Sequence, residues 1–156
     1  YRFCRSALSS AKFLSQFAEG PEFLAWADHF YRDTRSRPAL PLLLSAEVYG
    51  FGDTLACDCL KELGFVQFGK PDVHIIDILA AAGLIEQQAT PYETQKTLLA
   101  LSQHLGVTPY ELDKLLWLSG SGFFYHHMTL GREGVIPGVK QRMLAALTTA
   151  PTANGG

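Results

Sequence analysis

The chain carries at residues 48–56 the sequence Val48-Tyr49-Gly50-Phe51-Gly52-Asp53-Thr54-Leu55-Ala56. This stretch predicts two helices joined by a tight hairpin, because glycine adopts turn conformations that are closed to residues with a Cβ atom. Gly50 and Gly52 also leave room for a phosphate group beside the first amides of the second helix. Those amides have no intrahelical acceptor, and the helix dipole favours an anion there. The hairpin is therefore a candidate for binding a phosphate backbone.

A second informative stretch follows at residues 70–75, with the sequence Lys70-Pro71-Asp72-Val73-His74-Ile75. It places the carboxylate of Asp72 just after a proline, at the predicted start of another helix. One interpretation is a structural N-cap, which stabilises a helix by about 1 kcal/mol. The other is a catalytic carboxylate, which can stabilise developing positive charge and orient or deprotonate a water. The two interpretations are compatible, because one aspartate can serve both roles.

Together the two stretches resemble the helix-hairpin-helix DNA glycosylases of the endonuclease III superfamily. The hairpin of that family has the form Leu-Pro-Gly-Val-Gly-x-Lys-x-Ala, and here Tyr49 replaces the proline and Thr54 replaces the lysine. In the family a catalytic aspartate follows the lysine by about eighteen positions, which is the separation between Thr54 and Asp72. Residues 113–125 resemble a later family helix that carries a tryptophan and ends in Gly-Arg-Tyr. The resemblance covers residues 40–127.

The resemblance implies an all-α, helix-hairpin-helix DNA glycosylase-like helical bundle that removes a damaged or modified base from double-stranded DNA. Because the base must leave the stack to reach a carboxylate, a flipped-out nucleotide is implied. Asp72 is the implied catalytic residue. Thr54 stands where bifunctional relatives have a nucleophilic lysine, so the implied reaction is monofunctional: water attacks and an abasic site remains. A solvent-facing helix position is the alternative interpretation of Thr54.

Five residues are candidates for contacting DNA. They are Tyr49, Gly50, Phe51, Gly52 and His74. Tyr49 and Phe51 either pack beneath the DNA or touch its backbone, and His74 is either a contact that matches the family or a structural histidine. Further along the chain, His126 and His127 are candidates for a base or phosphate contact, with a role at a helix end as the alternative.

Two rival functions come from other classes of protein. A non-catalytic helix-hairpin-helix module binds DNA through the hairpin alone, without chemistry at Asp72. A helical interaction protein uses Gly50 and Gly52 only to turn the chain. The spacing of Asp72 from the hairpin favours the glycosylase over both. The sequence does not identify the residues that would form the wall of the base pocket. Only 47 residues precede Val48, fewer than family members usually have before the hairpin.

Composition and charge bound the kind of protein. With 156 residues, 47% hydrophobic and 18% charged, the chain predicts a monomer with one helical domain at 1–147 and a flexible tail at 148–156. No apolar run reaches the ~18 residues of a membrane span, so no membrane partner is expected. A net charge of −2 opposes DNA binding. Arg32, Arg35 and Arg37 nevertheless concentrate positive charge before the hairpin, and Lys61 and Lys70 follow it.

The cysteines bear on compartment and cofactor. Cys4, Cys57 and Cys59 have no metal-binding spacing, and free thiols favour a reducing, cytoplasmic location. Many endonuclease III relatives hold an iron–sulfur cluster with four cysteines after the last core helix. This chain has no cysteine there, so neither a cofactor nor a metal is expected.

Hydrophobic periodicity predicts a succession of helices. Their predicted ranges are 9–18, 21–31, 39–48, 53–63, 71–84, a helix that begins at 91, 109–118 and 137–147. Thr90 with Glu93 and Thr108 with Glu111 form capping-box patterns, in which the side chain of each residue accepts from the backbone amide of the other.

Overall fold

The computed structural model describes residues 1–124 and 134–149, and within these ranges the chain is all-α. Eight helices follow one another along the described chain: α1 (Arg2–Leu14), α2 (Gly20–Arg32), α3 (Ala39–Glu47), α4 (Asp53–Glu62), α5 (Val73–Ala81), α6 (Pro91–Leu105), α7 (Pro109–Ser121) and α8 (Val139–Thr149). An isolated antiparallel bridge pairs Phe123 with Val135 ahead of α8. The all-α prediction is confirmed.

Side-chain caps fix the starts of three helices. The hydroxyl of Thr90 accepts a hydrogen bond from the amide of Glu93 at 3.2 Å, and the Glu93 carboxylate accepts one from the amide of Thr90 at 2.8 Å. Thr108 and Glu111 repeat this arrangement at the start of α7. Both predicted capping boxes are confirmed. The third cap is the side chain of Asp72, which begins α5.

Some helix ends differ from the predicted ranges. α1 begins at Arg2 rather than at residue 9 and ends at Leu14, because residues 2–8 contain no glycine or proline that would stop a helix. Gly20 does not end α1 but opens α2, where the following proline occupies a first-turn position that needs no amide hydrogen bond. α8 continues to Thr149, into the predicted tail. Residues 150–156 lie outside the described residues.

The helices enclose two hydrophobic clusters. The first, here called the N-terminal core, lies among α1 to α4 and the segment after α4, and its buried members are Phe13, Ala27, Leu40, Leu44, Val48, Ala56, Leu60, Phe65 and Phe68. The second, the C-terminal core, lies among α5, α6 and α7, and its buried members are Ile75, Leu79, Leu98 and Leu112. α3 packs mainly on α4, and α5 packs on α7 and α8.

The connector at residues 63–72 joins the two cores. Phe65 and Phe68 are buried in the N-terminal core. Gly69 lies on the other side, where an added Cβ would come within 3.2 Å of Leu98 and 3.1 Å of Asp113. The missing side chain at Gly69 therefore lets the connector pass close to α6 and α7. Asp72, the last residue of this connector, is the N-cap of α5. The helix therefore begins at the boundary between the two cores.

Candidate active site at the helical hairpin

The predicted hairpin forms between α3 and α4. After α3 ends, the amide of Phe51 donates to the carbonyl of Val48 at 3.1 Å and closes a tight turn. Gly50 lies in this turn with a φ of +76°. This left-handed conformation favours glycine, because a Cβ atom would clash with the backbone. The conformation expected of Gly50 is therefore present.

Gly52 departs from the expectation that both glycines adopt special turn conformations. Its φ of −70° and ψ of 165° are open to any residue, and nothing lies within 4 Å of the place where its Cβ would be. Gly52 is the N-cap residue of α4 and provides no side-chain cap. The amide of Ala56 donates to the Gly52 carbonyl at 2.9 Å. The amides of the turn before Ala56 are therefore available to an external acceptor such as a phosphate oxygen.

The two aromatic residues of the hairpin have different surroundings. Tyr49 is 39% exposed, and its amide donates to the Ser9 hydroxyl of α1 at 2.9 Å. The guanidinium carbon of Arg5 lies over the Tyr49 ring, 3.9 Å from the ring centroid. Phe51 instead packs against the N-terminal core. Tyr49 therefore remains at the surface beside the turn, whereas Phe51 anchors the turn to the core.

Asp72 is half-buried at the first residue before α5. Its Oδ1 accepts hydrogen bonds from the amides of His74 at 2.9 Å and Ile75 at 3.2 Å. Its Oδ2 takes no hydrogen bond from any described residue. One oxygen therefore caps the helix and holds the carboxylate in place, while the other is open to a water or a substrate. The arrangement is compatible with both interpretations of Asp72.

Thr54 links the hairpin to Asp72. Its hydroxyl donates to the carbonyl of Pro71 at 3.1 Å, across 17 positions of sequence. The side chain is half-buried, and its hydroxyl is held by this hydrogen bond rather than left to solvent alone. The first turn of α4 and the residue before Asp72 are thus in direct contact, and the two stretches that the sequence singled out lie side by side.

His74 lies against α7. An added Cβ at Gly120 would come within 2.6 Å of the His74 Cβ, so the histidine fits only because Gly120 has no side chain. Nδ1 of His74 is buried and has no hydrogen-bond partner among the described residues. His126 and His127, the other candidate histidines, lie outside the described residues.

A charge network links α4, the connector and α7 through Asp58, Lys61, Lys70 and Asp113. Lys61 and Asp113 form an ion pair and are only 5% and 1% exposed. Asp58 lies 3.1 Å from the Lys61 ammonium and 3.0 Å from the Lys70 ammonium. Lys61 and Lys70, which follow the hairpin in the sequence, are therefore both paired with carboxylates. The spacing of Asp58 and Lys61 signalled one pair, but Asp113 lies 52 positions from Lys61 and gave no local signal.

Burial governs how these groups titrate. Burial raises the pKa of Asp113, although the hydrogen bond and charge of Lys61 oppose the change. Burial lowers the pKa of Lys61, but the hydrogen bonds and charges of Asp113 and Asp58 outweigh it, so its pKa is raised. Lys61 is therefore a charged ammonium and not a nucleophilic amine. Burial also raises the pKa of Cys57 to about 12, so its thiol is neutral and unreactive.

The arginines of the basic cluster expected before the hairpin all have partners within the protein. Arg32 pairs with Asp28, one helical turn earlier, and Arg35 lies 4.0 Å from Asp33. Arg37 is buried and donates at 2.7 Å to a backbone carbonyl of α2. These three arginines therefore do not form the free positive surface that the sequence suggested. The acidic partner of Arg32 was visible in the sequence, because Asp28 precedes it by four residues on the same helix.

Two cavities lie beside the hairpin. The first has a volume of about 570 Å³ and is lined mainly by apolar side chains, among them Phe13, Phe17, Phe23, Leu44 and Phe51. The second has a volume of about 620 Å³ and is lined by Arg2, Phe3, Ser6, Tyr49, Gly50 and Leu55. Asp72 lines neither of them, nor any of three smaller cavities elsewhere. None of these five cavities is therefore a base pocket at Asp72.

Within residues 1–124 and 134–149, no three or more His, Cys, Asp or Glu side chains are grouped so that they would hold a metal ion. Cys4, Cys57 and Cys59 are free thiols. Over the same ranges, every helix is too short or too polar to cross a lipid bilayer.

The fold and the site define an all-α protein in which a glycine hairpin and a helix-capping aspartate are held side by side. No protein-family model matches the chain, and neither a curated protein nor a solved structure matches it. Its function is therefore inferred from the geometry and chemistry of this site.

Proposed function

We propose that this protein is a monofunctional DNA glycosylase that hydrolyses the N-glycosidic bond of a damaged or modified base. The observation that carries the proposal is the hydrogen bond from the Thr54 hydroxyl to the Pro71 carbonyl at 3.1 Å. It joins the first turn of α4, which has open backbone amides, to the carboxylate at the start of α5. A phosphate on those amides would bring the DNA backbone close to Asp72.

The chemistry at Asp72 follows from its free oxygen. As the bond between C1′ of the sugar and the base breaks, the electron pair leaves with the base and positive charge builds on the sugar. The carboxylate of Asp72 stabilises that charge, and a water adds to C1′ while its proton passes to the carboxylate. The proton then passes from Asp72 through solvent to the departing base, so the products are a free base, an abasic site and a regenerated carboxylate. The target nucleotide must be extruded from the duplex to reach the carboxylate.

The environment of the lysines supports hydrolysis over amine catalysis. The position that matches the family lysine holds Thr54, whose hydroxyl cannot form a Schiff base with the sugar. Lys61 is buried in its pair with Asp113, and Lys70 pairs with Asp58 at 3.0 Å. Water is therefore the proposed nucleophile, and strand cleavage is not part of the proposed reaction.

A panel assay tests the proposal. The protein would be incubated with duplexes that each carry one alkylated, oxidised or deaminated base, and alkali-labile abasic sites would be counted on a denaturing gel. At least one duplex should yield abasic sites without strand cleavage before alkali. Absence of abasic sites on every duplex, from protein that binds those duplexes, would reject the glycosylase.

A non-catalytic DNA-binding module is the second candidate, and one observation favours it. None of the five cavities described above is lined by Asp72, so no pocket of this set encloses a base at the carboxylate. This candidate predicts binding to duplex DNA without base release from any member of the panel. Asp72 would then be only the cap of α5.

A further inference from the structure

The described cations of the chain divide into two groups. Six of the twelve described lysine and arginine side chains pair with a carboxylate: Arg32, Arg35, Lys61, Lys70, Lys114 and Lys140. The other six form no ion pair with a carboxylate of the described residues. Of these, Arg37, Lys96 and Arg142 lie on separate segments, whereas Arg2, Arg5 and Lys12 all lie on α1. α1 therefore carries free positive charge in a protein whose net charge is −2.

The positive face of α1 packs directly on the hairpin. Arg2, Arg5, Ser9 and Lys12 are three or four residues apart in succession, so they share one face of the helix. Ser9 accepts a hydrogen bond from the amide of Tyr49 at 2.9 Å, and Arg5 stacks on the Tyr49 ring. An added Cβ at Gly50 would lie 3.7 Å from Ser6. The hairpin turn and the basic helix thus form one continuous surface.

An open cavity of about 620 Å³ lies along this surface. Arg2 and Ser6 line it from α1, and Tyr49, Gly50 and Leu55 line it from the hairpin and α4. Leu55 belongs to the first turn of α4, whose amides are open. The cavity therefore combines one cationic side chain, that of Arg2, with the positive end of a helix dipole, and Arg5 lies close by over the Tyr49 ring. This combination suits an anion.

We infer that α1 is the second half of a phosphate clamp for duplex DNA, with Arg2 and Arg5 binding phosphates next to the one at the hairpin. Stacking on Tyr49 holds the guanidinium of Arg5 in place, which reduces the entropy that it loses on binding. The inference rests on the DNA binding that the proposed function requires. It also explains how an acidic chain with paired hairpin lysines would bind a polyanion.

The salt dependence of binding measures such contacts. Log affinity falls linearly with log salt concentration, and the steepness of this fall is here called the salt slope. Each phosphate contact adds about 0.9 to the salt slope, because a condensed counterion is released. Loss of two contacts should therefore lower that slope by about 2. The affinity for all duplex sequences should fall alike, since phosphates carry no base information.

The test compares wild-type protein with Arg2→Gln/Arg5→Gln in a fluorescence anisotropy titration of a short undamaged duplex over a series of KCl concentrations. Both arginines are exposed, so the variant should fold normally, which circular dichroism and thermal melting would verify. The matched control is Arg32→Gln/Arg35→Gln, which removes two arginines that already have acidic partners. Arg2→Lys/Arg5→Lys retains the charge and should retain most of the slope.

A slope that falls by about 2 in the glutamine variant, with little change in the control, would support the clamp. An unchanged slope in Arg2→Gln/Arg5→Gln, or an equal fall in the control, would overturn it. If Arg2→Gln/Arg5→Gln has an unchanged salt slope and still releases bases from the panel duplexes, the proposed glycosylase stands and only the role of α1 is lost. If wild-type protein binds no duplex DNA at all, the clamp and the proposed function are both rejected.

Discussion

At the scale of single residues, the two oxygens of Asp72 divide two tasks between them. Oδ1 accepts from two backbone amides and fixes the carboxylate, while Oδ2 takes no bond from the described chain. A carboxylate fixed in this way needs little reorganisation when positive charge develops beside it, which is the source of electrostatic catalysis. The same geometry would serve a purely structural cap, so function must be measured separately from folding.

Gly52 offers a clean test of phosphate approach to the hairpin. Because its backbone conformation is open to any residue and space surrounds it, Gly52→Val should fold, yet it should obstruct the amides of α4. We expect about a tenfold loss of duplex affinity, which corresponds to one hydrogen bond to a charged group. Anisotropy titration measures the loss, with Gly20→Val as the control, since space also surrounds Gly20. Equal affinities for wild type and Gly52→Val would reject the hairpin contact.

Gly50 is a poorer choice for the same test. Its φ of +76° would strain any other residue by about 1 kcal/mol or more. A weaker affinity in a Gly50 variant would therefore mix the distortion of the turn with the loss of phosphate approach.

At the scale of helices, the ion pair between Asp77 of α5 and Lys140 of α8 ties the last helix to the bundle. The hydrogen bond from Lys140 lowers the pKa of Asp77 below its ordinary value of 3.8. A carboxylate with a lowered pKa adds stability at pH values above 3.8, and this stability is lost as the pH falls through the folded pKa.

Asp77→Asn should therefore reduce the free energy of unfolding at neutral pH by less than about 1 kcal/mol, since the pair is partly exposed. The difference from wild type should disappear in acid, below the folded pKa. Urea unfolding at a series of pH values measures both, and Lys140→Met should largely remove the effect of Asp77→Asn. A difference that persists undiminished in acid would show that the ion pair is not its cause.

The helices were predictable where local chemistry decides them. Thr90 and Glu93 are three residues apart, and their mutual hydrogen bonds form as the pattern requires. The start of α1 was missed because its N-cap residue, Tyr1, makes no side-chain cap bond and leaves no signal in the sequence.

The candidate site was predictable only in part, because the sequence signals local contacts and not those between distant helices. The spacing of Thr54 and Asp72 matched the pattern of the resembling family, and the structure brings their segments into contact. The basic surface of α1 was missed because its contact with the hairpin joins Ser9 to Tyr49 across 40 positions. Such a contact depends on how helices pack, which periodicity within one helix does not report. The base pocket has no sequence signal and is not among the cavities described.

At the scale of the whole molecule, the buried pair of Lys61 and Asp113 connects the halves of the chain. Lys61 belongs to α4 beside the N-terminal core, and Asp113 belongs to α7 beside the C-terminal core. Breaking a buried pair typically costs about 3–5 kcal/mol. Loss of Asp113 would leave the buried ammonium of Lys61 with only the partly exposed carboxylate of Asp58, at 3.1 Å. The pair therefore helps to hold the connector and the start of α5 between the two cores.

Asp113→Ala should lower the free energy of unfolding in a urea titration by about 3 kcal/mol, the lower end of this range, because Asp58 still faces Lys61. The exposed pair of Lys114 and Glu62 provides the control, since Glu62→Ala should cost less than about 1 kcal/mol. Replacing both buried partners, as in Lys61→Met/Asp113→Leu, should recover most of the loss, because no unpaired charge remains. A small effect of Asp113→Ala, equal to that of Glu62→Ala, would contradict this role.

The most direct test of the whole account is the rate of base release by Asp72→Asn under single-turnover conditions, on a duplex that the wild-type protein processes. Asparagine also caps helices well, so the fold and the DNA affinity should be kept. The neutral amide cannot stabilise a positive sugar or accept a proton, so base release should fall by about 100-fold or more. Wild-type protein should form no covalent adduct with the DNA when borohydride is added to reduce any Schiff base. Full base release by Asp72→Asn, or efficient trapping of the wild type, would contradict hydrolysis assisted by Asp72.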